Sequence, residues 1–224
     1  MMKKITVAVD GPAGSGKSSV SKQAAVALGL KYIDSGALYR SVTWYVLERD
    51  GAVDNTFIFT PDIAGLAIRQ EFLEDGSSLT YVNDTNVTTL IRDETIARNI
   101  GIISDNRDVR EHINAMLRDW ARHDSIIMDG RDIGSVVFPD ADLKIYLDAS
   151  VEVRAERRIK EYRELGKKVD ENLIKKQIIQ RDEQDTRRPY GALVRARDAV
   201  YIDTSDMAMV QVIDRIKELV LQIR

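Results

Sequence analysis

Residues 5–18 read Ile-Thr-Val-Ala-Val-Asp-Gly-Pro-Ala-Gly-Ser-Gly-Lys-Ser, so that an apolar run leads directly into the pattern G-x-x-x-x-G-K-S. Between a strand and a helix this pattern forms a phosphate-binding loop, because its glycines let successive backbone N–H groups turn inward around phosphate oxygens. Lys17 would reach the β- and γ-phosphates of a nucleotide, and the Ser18 hydroxyl can ligate Mg²⁺. The helix that starts near Lys17 would add the positive end of its dipole. The stretch therefore predicts a nucleotide-binding α/β protein.

The composition narrows the class of protein further. A chain of 224 residues, 44% of them hydrophobic, suits one α/β domain with a small insert. The absence of cysteine argues against disulfides and thiolate metal sites and fits a cytoplasmic location, while two histidines leave no room for a histidine metal site. The net charge of −3 argues against a nucleic-acid partner. No apolar run is long enough to cross a bilayer, so we expect no membrane partner.

Apolar runs and turn residues predict five short buried strands that alternate with helices. The predicted strands are Ile5–Val9, Lys31–Ile33, Ser125–Met128, Leu143–Leu147 and Ala199–Ile202. The predicted helices are Ser18–Leu28, Ala37–Arg49, a short helix from Pro61, Thr89–Ile103, Asp108–Arg122, Val151–Leu165, Glu171–Gln184 and Ala208–Ile223. Such alternation is typical of a parallel sheet covered on both faces. Two further strands, Ala67–Phe72 and Ser78–Val82 around the turn Glu74-Asp75-Gly76, predict a small β insert.

Polar residues follow almost every predicted strand, where the sites of parallel sheets lie. The run Asp129-Gly130-Arg131-Asp132 is the densest of these. Arginines also concentrate in two stretches, residues 154–158 and 181–188. In a mildly acidic chain, this local concentration indicates small phosphate ligands bound in one cleft.

Six segments, taken in order, resemble the bacterial cytidylate kinases over nearly the whole chain. They are ITVAVDGPAGSGKS (5–18), IDSGALYR (33–40), IIMDGRDIGSVVFPDADLKIY (126–146), RAERR (154–158), RDEQDTRRPYGAL (181–193) and DAVYIDTS (198–205). The resemblance implies a P-loop NTPase-type five-stranded parallel sheet flanked by helices, with a small β insert and a helical lid. It also implies a single domain over 1–224. Its core would be 1–35, 105–150 and 195–224, its monophosphate-binding region about 36–104 with the insert at about 66–90, and its lid about 151–194.

The activity implied by this resemblance is transfer of the γ-phosphoryl group of ATP to CMP or dCMP, with Mg²⁺, by a cytoplasmic monomer. The implied ATP-binding residues are Gly11, Pro12, Ala13, Gly14, Ser15, Gly16, Lys17, Ser18, Ser19, Arg154 and Arg158. The implied CMP-binding residues are Ser35, Arg40, Gly101, Arg110, Arg131, Asp132, Arg181, Asp185 and Arg188. Lys17, Arg131, Arg158 and Arg188 would be catalytic, and Ser18 and Asp129 would serve the metal.

Elementary chemistry agrees with these implied roles. The acceptor phosphate is itself the nucleophile and is largely dianionic near neutral pH, because its second pKa lies near ~6, so it needs charge neutralisation more than a general base. Guanidinium forks provide bidentate donors to phosphate. A carboxylate such as Asp132 would accept from the exocyclic amine of cytosine and repel the carbonyl of uracil, while Arg110 can donate to the other edge of cytosine. Residues 181, 185 and 188 would share one helix face.

Some alternatives remain open at this point. The family usually has a serine where this chain has Gly101, which leaves the preference between CMP and UMP undecided, and Ser104 is a candidate to replace that hydroxyl. A kinase for UMP, dTMP or a non-nucleotide acceptor is the main alternative, and the arginines of 154–158 could instead belong to a solvated charged helix. A GTPase-like switch is disfavoured, because the chain lacks the guanine-reading pattern Asn-Lys-x-Asp.

Overall fold

The computed structural model describes residues 4–73, 75–164, 166 and 168–224. Its strands are β1 (Thr6–Asp10), β2 (Lys31–Asp34), β3 (Ile68–Phe72), β4 (Ser78–Val82), β5 (Thr85–Asn86), β6 (Ile126–Gly130), β7 (Leu143–Asp148) and β8 (Val200–Asp203). Its α-helices are α1 (Lys17–Leu28), α2 (Ser35–Asp50), α3 (Pro61–Ala64), α4 (Glu94–Asp105), α5 (Arg107–Ala121), α6 (Val151–Glu164), α7 (Glu171–Arg187) and α8 (Met209–Gln222). A 3₁₀ turn at Leu90–Arg92 and a π-helical turn at Ile133–Val137 complete the regular structure.

The main sheet has five parallel strands in the order β2-β6-β1-β7-β8. Its register pairs Asp129 of β6 with both Val9 of β1 and Asp34 of β2, so the carboxyl ends of these strands meet at one edge. The predicted fold class is therefore confirmed. The separate antiparallel sheet β3-β4-β5 confirms the predicted insert and adds to it a third strand of two residues, Thr85–Asn86, too short to give a hydrophobic pattern.

Two hydrophobic clusters cover the two faces of the sheet, and a third lies apart from it. Helices α1 and α8 pack on one face, and α2, α4 and α5 pack on the other. Helices α6 and α7 share a small core of their own, Ala155, Ile159, Ile174 and Ile178, with Val151, Tyr162 and Val169 against it. The predicted lid region thus includes a helical hairpin with its own apolar seam.

Capping residues account for most differences from the predicted boundaries. Helix α2 begins earlier than predicted, since the Asp34 carboxylate accepts a hydrogen bond from the N–H of Ala37 at 3.0 Å. The predicted helix Thr89–Ile103 is wrong in its first turn: Asp93 is extended and caps α4 by accepting from Thr95 N–H at 2.7 Å. Gly29 and Gly51 end α1 and α2 in the left-handed conformation.

Two predicted features fall partly outside the described residues: Glu74 of the turn in the β insert and Leu165 at the predicted end of α6. Across the part of the chain that the structure describes, no helix combines the length and the apolar character that a bilayer crossing requires.

Candidate active site

The phosphate-binding loop joins β1 to α1 at the carboxyl edge of the sheet. Gly16 precedes α1 with φ 86°, a left-handed conformation that favours glycine. A Cβ built on Gly11 would lie 2.0 Å from the carbonyl oxygen of Leu147, so only glycine lets the loop pass strand β7 this closely. The remaining predicted loop residues, Pro12, Ala13, Gly14 and Ser15, lie between these two glycines, and Ser18 and Ser19 lie in the first turn of α1.

Lys17 is buried inside this loop. Its Nζ donates to the carbonyl oxygen of Pro12 at 3.1 Å, and the residue is 5% exposed. Burial, and after it the positive charge of Arg131, lowers the pKa of Lys17 to about 7. The electrostatic neighbours of the ammonium therefore already include a residue of the predicted acceptor site. A phosphate bound in the loop would favour the charged form of Lys17.

Asp129 lies where β6 pairs with both β1 and β2, and hydroxyl groups from three elements donate to it. Its Oδ1 accepts from the Tyr32 hydroxyl at 2.6 Å and its Oδ2 accepts from Ser18 at 2.7 Å. The hydroxyl of Ser35 donates to the backbone oxygen of Asp129, also at 2.6 Å. Burial and the charge of Asp34 raise the pKa of Asp129.

The oxygens of Ser18 and Asp129 suit a hard cation such as Mg²⁺. Nowhere in the described ranges do three or more His, Cys, Asp or Glu side chains gather as a metal cage. That fits Mg²⁺, which is usually held by one or two protein oxygens together with substrate phosphates and waters. The donor chemistry of the predicted pair is therefore compatible with a nucleotide-bound Mg²⁺.

Asp10, at the end of β1, was not among the predicted site residues. Its two carboxylate oxygens accept from the backbone N–H groups of Ile133 at 2.8 Å and Gly134 at 2.7 Å. These residues begin the π-helical turn directly after Arg131 and Asp132, so Asp10 fixes the predicted acceptor loop beside the phosphate-binding loop. Burial raises the pKa of Asp10 to about 6.

Arg110 and Asp132 form a buried ion pair. Nη2 of Arg110 lies 2.6 Å from Oδ2 of Asp132, Nη1 donates to the backbone oxygen of Ser104 at 2.9 Å, and the ring of Tyr39 lies 5.2 Å from the guanidinium. The side chains are 2% and 5% exposed. Arg110 is thus not part of a surface ion pair with the next residue, Glu111, which pairs instead with Arg107. Burial raises the pKa of Asp132, and Arg110 opposes that shift.

Three arginines converge on one buried carboxylate, Asp185. Arg131 donates from Nε to its Oδ2 at 2.7 Å, Arg188 donates from Nη2 to its Oδ1 at 2.8 Å, and Nε of Arg181 lies 3.3 Å from the same Oδ1. Burial alone would raise the pKa of Asp185, but the arginines outweigh it and hold that pKa below its usual range. One predicted strand end and one predicted lid helix thus meet at a cluster of phosphate-binding groups.

Comparison with known proteins shows the family of the chain. A family model described as cytidylate kinase matches residues 7–222. A cytidylate kinase from Streptococcus equi subsp. zooepidemicus is 41% identical over 217 residues, 97% of this chain and 96% of the relative. The chain belongs to the cytidylate kinase family. A relative from Geobacillus sp. (strain WCH70), also named cytidylate kinase, is 39% identical over 220 residues, 98% of each chain. The resemblance seen in the motifs is confirmed, and the protein is an ATP-dependent phosphotransferase.

Solved structures support the fold independently of sequence. The crystal structure of TT1252 from Thermus thermophilus superposes with a TM-score of 0.52 at 13% identity, covering 99% of this chain and 98% of that one. At this identity the likeness concerns the fold alone.

Arg154 and Arg158 of α6 differ in whether they contact the phosphate-binding loop of this cytidylate kinase family member. Arg154 is buried: it donates to the carbonyl oxygen of Ala13 at 3.0 Å and forms a two-bond ion pair with Asp182 of α7 at 3.0 and 2.6 Å. The alternative of a solvated helix is therefore wrong for Arg154. Arg158 is half-buried, with its guanidinium 5.7 Å from the Tyr162 ring. Its predicted role with ATP stays a prediction.

Arg157, omitted from the predicted site, contacts the loop directly. It donates to the carbonyl oxygen of Ser15 at 3.3 Å and to the hydroxyl and carbonyl of Thr204 at 3.1 and 2.6 Å. The spacing of three residues from Arg154 puts both on one helix face and could have indicated it. A cavity of about 110 Å³ opens beside these contacts, lined by Ser15, Gly16, Val20, Arg157, Thr204, Met207, Met209 and Val212.

Two of the predicted CMP-binding residues, Arg40 and Gly101, have no side-chain hydrogen bond or ion pair to the other described site residues. Arg40 is half-buried and forms neither a hydrogen bond nor an ion pair with another described residue; burial and then the charge of Arg92 lower its pKa to about 10. Gly101 lies in α4 with room beside it, since a Cβ there would first meet Nη1 of Arg181, at 3.9 Å. The Ser104 hydroxyl donates to the Gly101 carbonyl at 3.2 Å, so it is already engaged within the helix.

Proposed function

We propose that this protein transfers the γ-phosphoryl group of ATP to CMP, and also to dCMP, producing ADP and CDP or dCDP. The observation that carries the proposal is the convergence of Arg131, Arg181 and Arg188 on Asp185, within electrostatic reach of Lys17. A family member with one phosphate site on its loop and a second, arginine-lined site facing it is built to bring two anionic phosphates together.

On the donor side, the loop N–H groups and Lys17 would hold the triphosphate of ATP. Mg²⁺, held by Ser18 and oriented by Asp129, would supply charge neutralisation between the β- and γ-phosphates when bound. The cavity beside Ser15 and Gly16 suits the adenine, because Met207 provides an apolar wall and Arg157 a flat cationic one.

On the acceptor side, the Arg110–Asp132 pair would read the base. Oδ2 of Asp132 is engaged by Arg110, whereas Oδ1 accepts no hydrogen bond from a described residue. That oxygen is available to the exocyclic amine of cytosine. Each terminal nitrogen of Arg110 also carries a second N–H beyond those used by Asp132 and Ser104, which suits the acceptors on the pyrimidine edge.

The phosphoryl step follows from these positions. An oxygen of the CMP phosphate attacks the γ-phosphorus of ATP, the bond from that phosphorus to the β,γ-bridging oxygen breaks, and ADP leaves. The acceptor is already dianionic, so the protein has to orient it and neutralise its charge. Arg131 and Arg188 would stabilise the equatorial oxygens of the transferred phosphoryl group. Lys17 would stabilise the negative charge that develops on the β,γ-bridging oxygen.

The proposal is tested by a coupled ADP-release assay with ATP, Mg²⁺ and each of CMP, dCMP, UMP, AMP, GMP and dTMP. We expect strong turnover with CMP and dCMP and weak turnover with UMP. Equal rates for CMP and UMP would favour the alternative of a broader pyrimidine kinase that accepts both monophosphates. Lys17→Ala is the control for the donor site, and near-normal turnover in that variant would contradict the role of the loop lysine.

The regional assignments belong to the same proposal. Residues of about 36–104 would bind the monophosphate, and residues of about 151–194 would act as a lid that closes on both substrates, supported by the separate core of α6 and α7. A monomer in the cytoplasm stays a prediction. Light scattering coupled to gel filtration tests the first part, and cell fractionation tests the second.

A further inference from the structure

Asp105 forms a contact that none of the motifs predicted. It is the last residue of α4, and its Oδ1 accepts from Nε of Arg188 at 2.5 Å. The two residues are 83 positions apart: Asp105 begins the predicted core segment 105–150, at its border with the monophosphate-binding region, and Arg188 belongs to the predicted lid. The Arg188 side chain is 2% exposed, whereas that of Asp105 is 46% exposed. A surface carboxylate on one region therefore holds a buried guanidinium at the edge of the other.

The position of Asp105 is unfavourable for the helix itself. A carboxylate in the last turn faces the negative end of the helix dipole, where lysine, arginine or histidine is preferred. The backbone C-cap of α4 is made by Asn106, whose N–H donates to the carbonyl oxygen of Ile103. The ion pair with Arg188 offsets the unfavourable placement, so the role of Asp105 lies in that contact rather than in stabilising α4.

Asp105 also determines which edge of the Arg188 guanidinium is free. Nε is taken by Asp105, and Nη2 is taken by Asp185 at 2.8 Å, with the Ser104 hydroxyl at 3.4 Å. Nη1 donates to no described residue. With one carboxylate on each of two adjacent nitrogens, rotation about the last side-chain bonds is blocked, and Nη1 remains as the donor for a third anion.

The charge balance of the cluster supports the same reading. Three guanidinium groups share the single carboxylate of Asp185, and buried charges that lack partners are costly. Asp105 adds a second negative charge at Nε of Arg188, next to the Nη2 that Asp185 binds. The cluster nevertheless keeps more positive than negative groups, so it still favours a phosphate.

We infer that Asp105 is a positioning residue of the acceptor site: it orients Arg188 so that the free Nη1 edge meets the phosphate of the acceptor nucleotide. This inference rests on the proposed function. Pre-orienting the fork reduces the conformational entropy lost when the phosphate binds. Without Asp105 the guanidinium would keep Asp185 and the longer contact to Ser104, both at Nη2, and would rotate about that nitrogen.

The test compares Asp105→Ala with Glu111→Ala, which removes an exposed ion pair of similar length, 2.7 Å, on the neighbouring helix. We expect Asp105→Ala to raise the KM for CMP about tenfold, because a charge-assisted hydrogen bond that orients the binding group is lost. The KM for ATP should stay within about twofold of the wild-type value. Glu111→Ala should change neither constant, and Asp105→Glu should recover part of the loss.

A second readout does not depend on turnover. In the wild type, the Nε–H signal of Arg188 in ¹H–¹⁵N NMR spectra should be slow to exchange with solvent, and in Asp105→Ala it should exchange fast. A protein that phosphorylates none of the six monophosphates contradicts the proposed function, but leaves this signal to decide on the ion pair. Three results in Asp105→Ala would each overturn the inference. The first is unchanged Nε–H exchange, and the second is an unchanged KM for CMP. The third is an equal rise in the KM values for CMP and ATP together with a lower unfolding midpoint.

Discussion

Gly191→Ala offers a direct test of how the base-reading pair is held. Gly191 lies in the segment after α7 with φ +67°, and a Cβ on it would lie 2.4 Å from both Nε and Nη2 of Arg110. Ordinary contact begins at 3.4 Å, so the two groups would have to separate by 1.0 Å, the difference between these distances. Arg110 cannot yield easily, because Asp132, Ser104 and the ring of Tyr39 fix it on three sides.

The segment carrying Gly191 is also anchored. Leu193 is buried, and its N–H donates to the backbone oxygen of Asp185 at 2.8 Å. Because neither side moves freely, part of the displacement should fall on the Arg110–Asp132 contact. A displacement of about 1 Å at a positioning group can cost about 10²-fold, so we expect kcat/KM for CMP to fall between about tenfold and a hundredfold. The KM for ATP should change by less than about twofold.

Gly51→Ala is the matched control. Gly51 has φ +74°, and no atom would lie within 4 Å of its added Cβ. Both variants place alanine in the left-handed region, which costs about 1–2 kcal/mol of stability, measured by urea denaturation. Only Gly191→Ala adds the collision with Arg110. If the two variants lose the same stability and both retain wild-type kcat/KM for CMP, the proposed coupling between the segment that follows α7 and the base site is refuted.

Three further predictions follow from the buried site. Asp132→Asn should lower the ratio of kcat/KM for CMP to that for UMP by at least about tenfold, since the amide can donate to the uracil carbonyl; an unchanged ratio would remove Asp132 as the base reader. Lys17, with a pKa of about 7 in the free protein, should take up close to one proton when ATP binds at pH 8, and almost none at pH 6. Calorimetry in buffers of different ionisation enthalpy measures this uptake, affinity for ATP should fall as the pH rises above 7, and Lys17→Arg should show no uptake because it stays charged. Tyr32→Phe removes a buried 2.6 Å donor from Asp129 and should lower the free energy of unfolding by about 2 kcal/mol in urea denaturation; unchanged stability would speak against that bond.

Local signals in the sequence predicted the elements well, because each depends on neighbouring residues. The loop glycines, the apolar run before them and the caps at Gly29 and Gly51 act within a few positions of the helix or strand that they define. The spacing of three and four residues predicted that Arg181, Asp185 and Arg188 share one helix face, and in the structure both of these arginines pair with Asp185. The roles of the site residues were predicted from the resemblance of these motifs to those of the cytidylate kinase family.

Contacts between distant segments were beyond that reasoning. Asp10 caps a turn 123 residues further along the chain, and its sequence position offers no sign of that partner. One residue along a helix changes the direction of a side chain by about 100°. The arginine pattern therefore pointed to α6, yet it did not separate Arg157, which contacts the loop at Ser15, from Arg158, which does not. The strand order depended likewise on crossovers that hydrophobic patterns do not determine.

The distribution of charge explains how a chain with a net charge of −3 can hold two nucleotides. Carboxylates neutralise two of the buried arginines pairwise, as Asp132 does for Arg110 and Asp182 for Arg154, so these guanidinium groups are not left as unpaired buried charges. Arg40 differs from them, because it is half-buried and has no ion pair to a described residue, and the arginines around Asp185 outnumber that single carboxylate. A bound phosphate would neutralise both the charge of Arg40 and the excess positive charge around Asp185. Substrate binding should therefore stabilise the fold as well as occupy the site, because the bound phosphates neutralise charge that the protein leaves open.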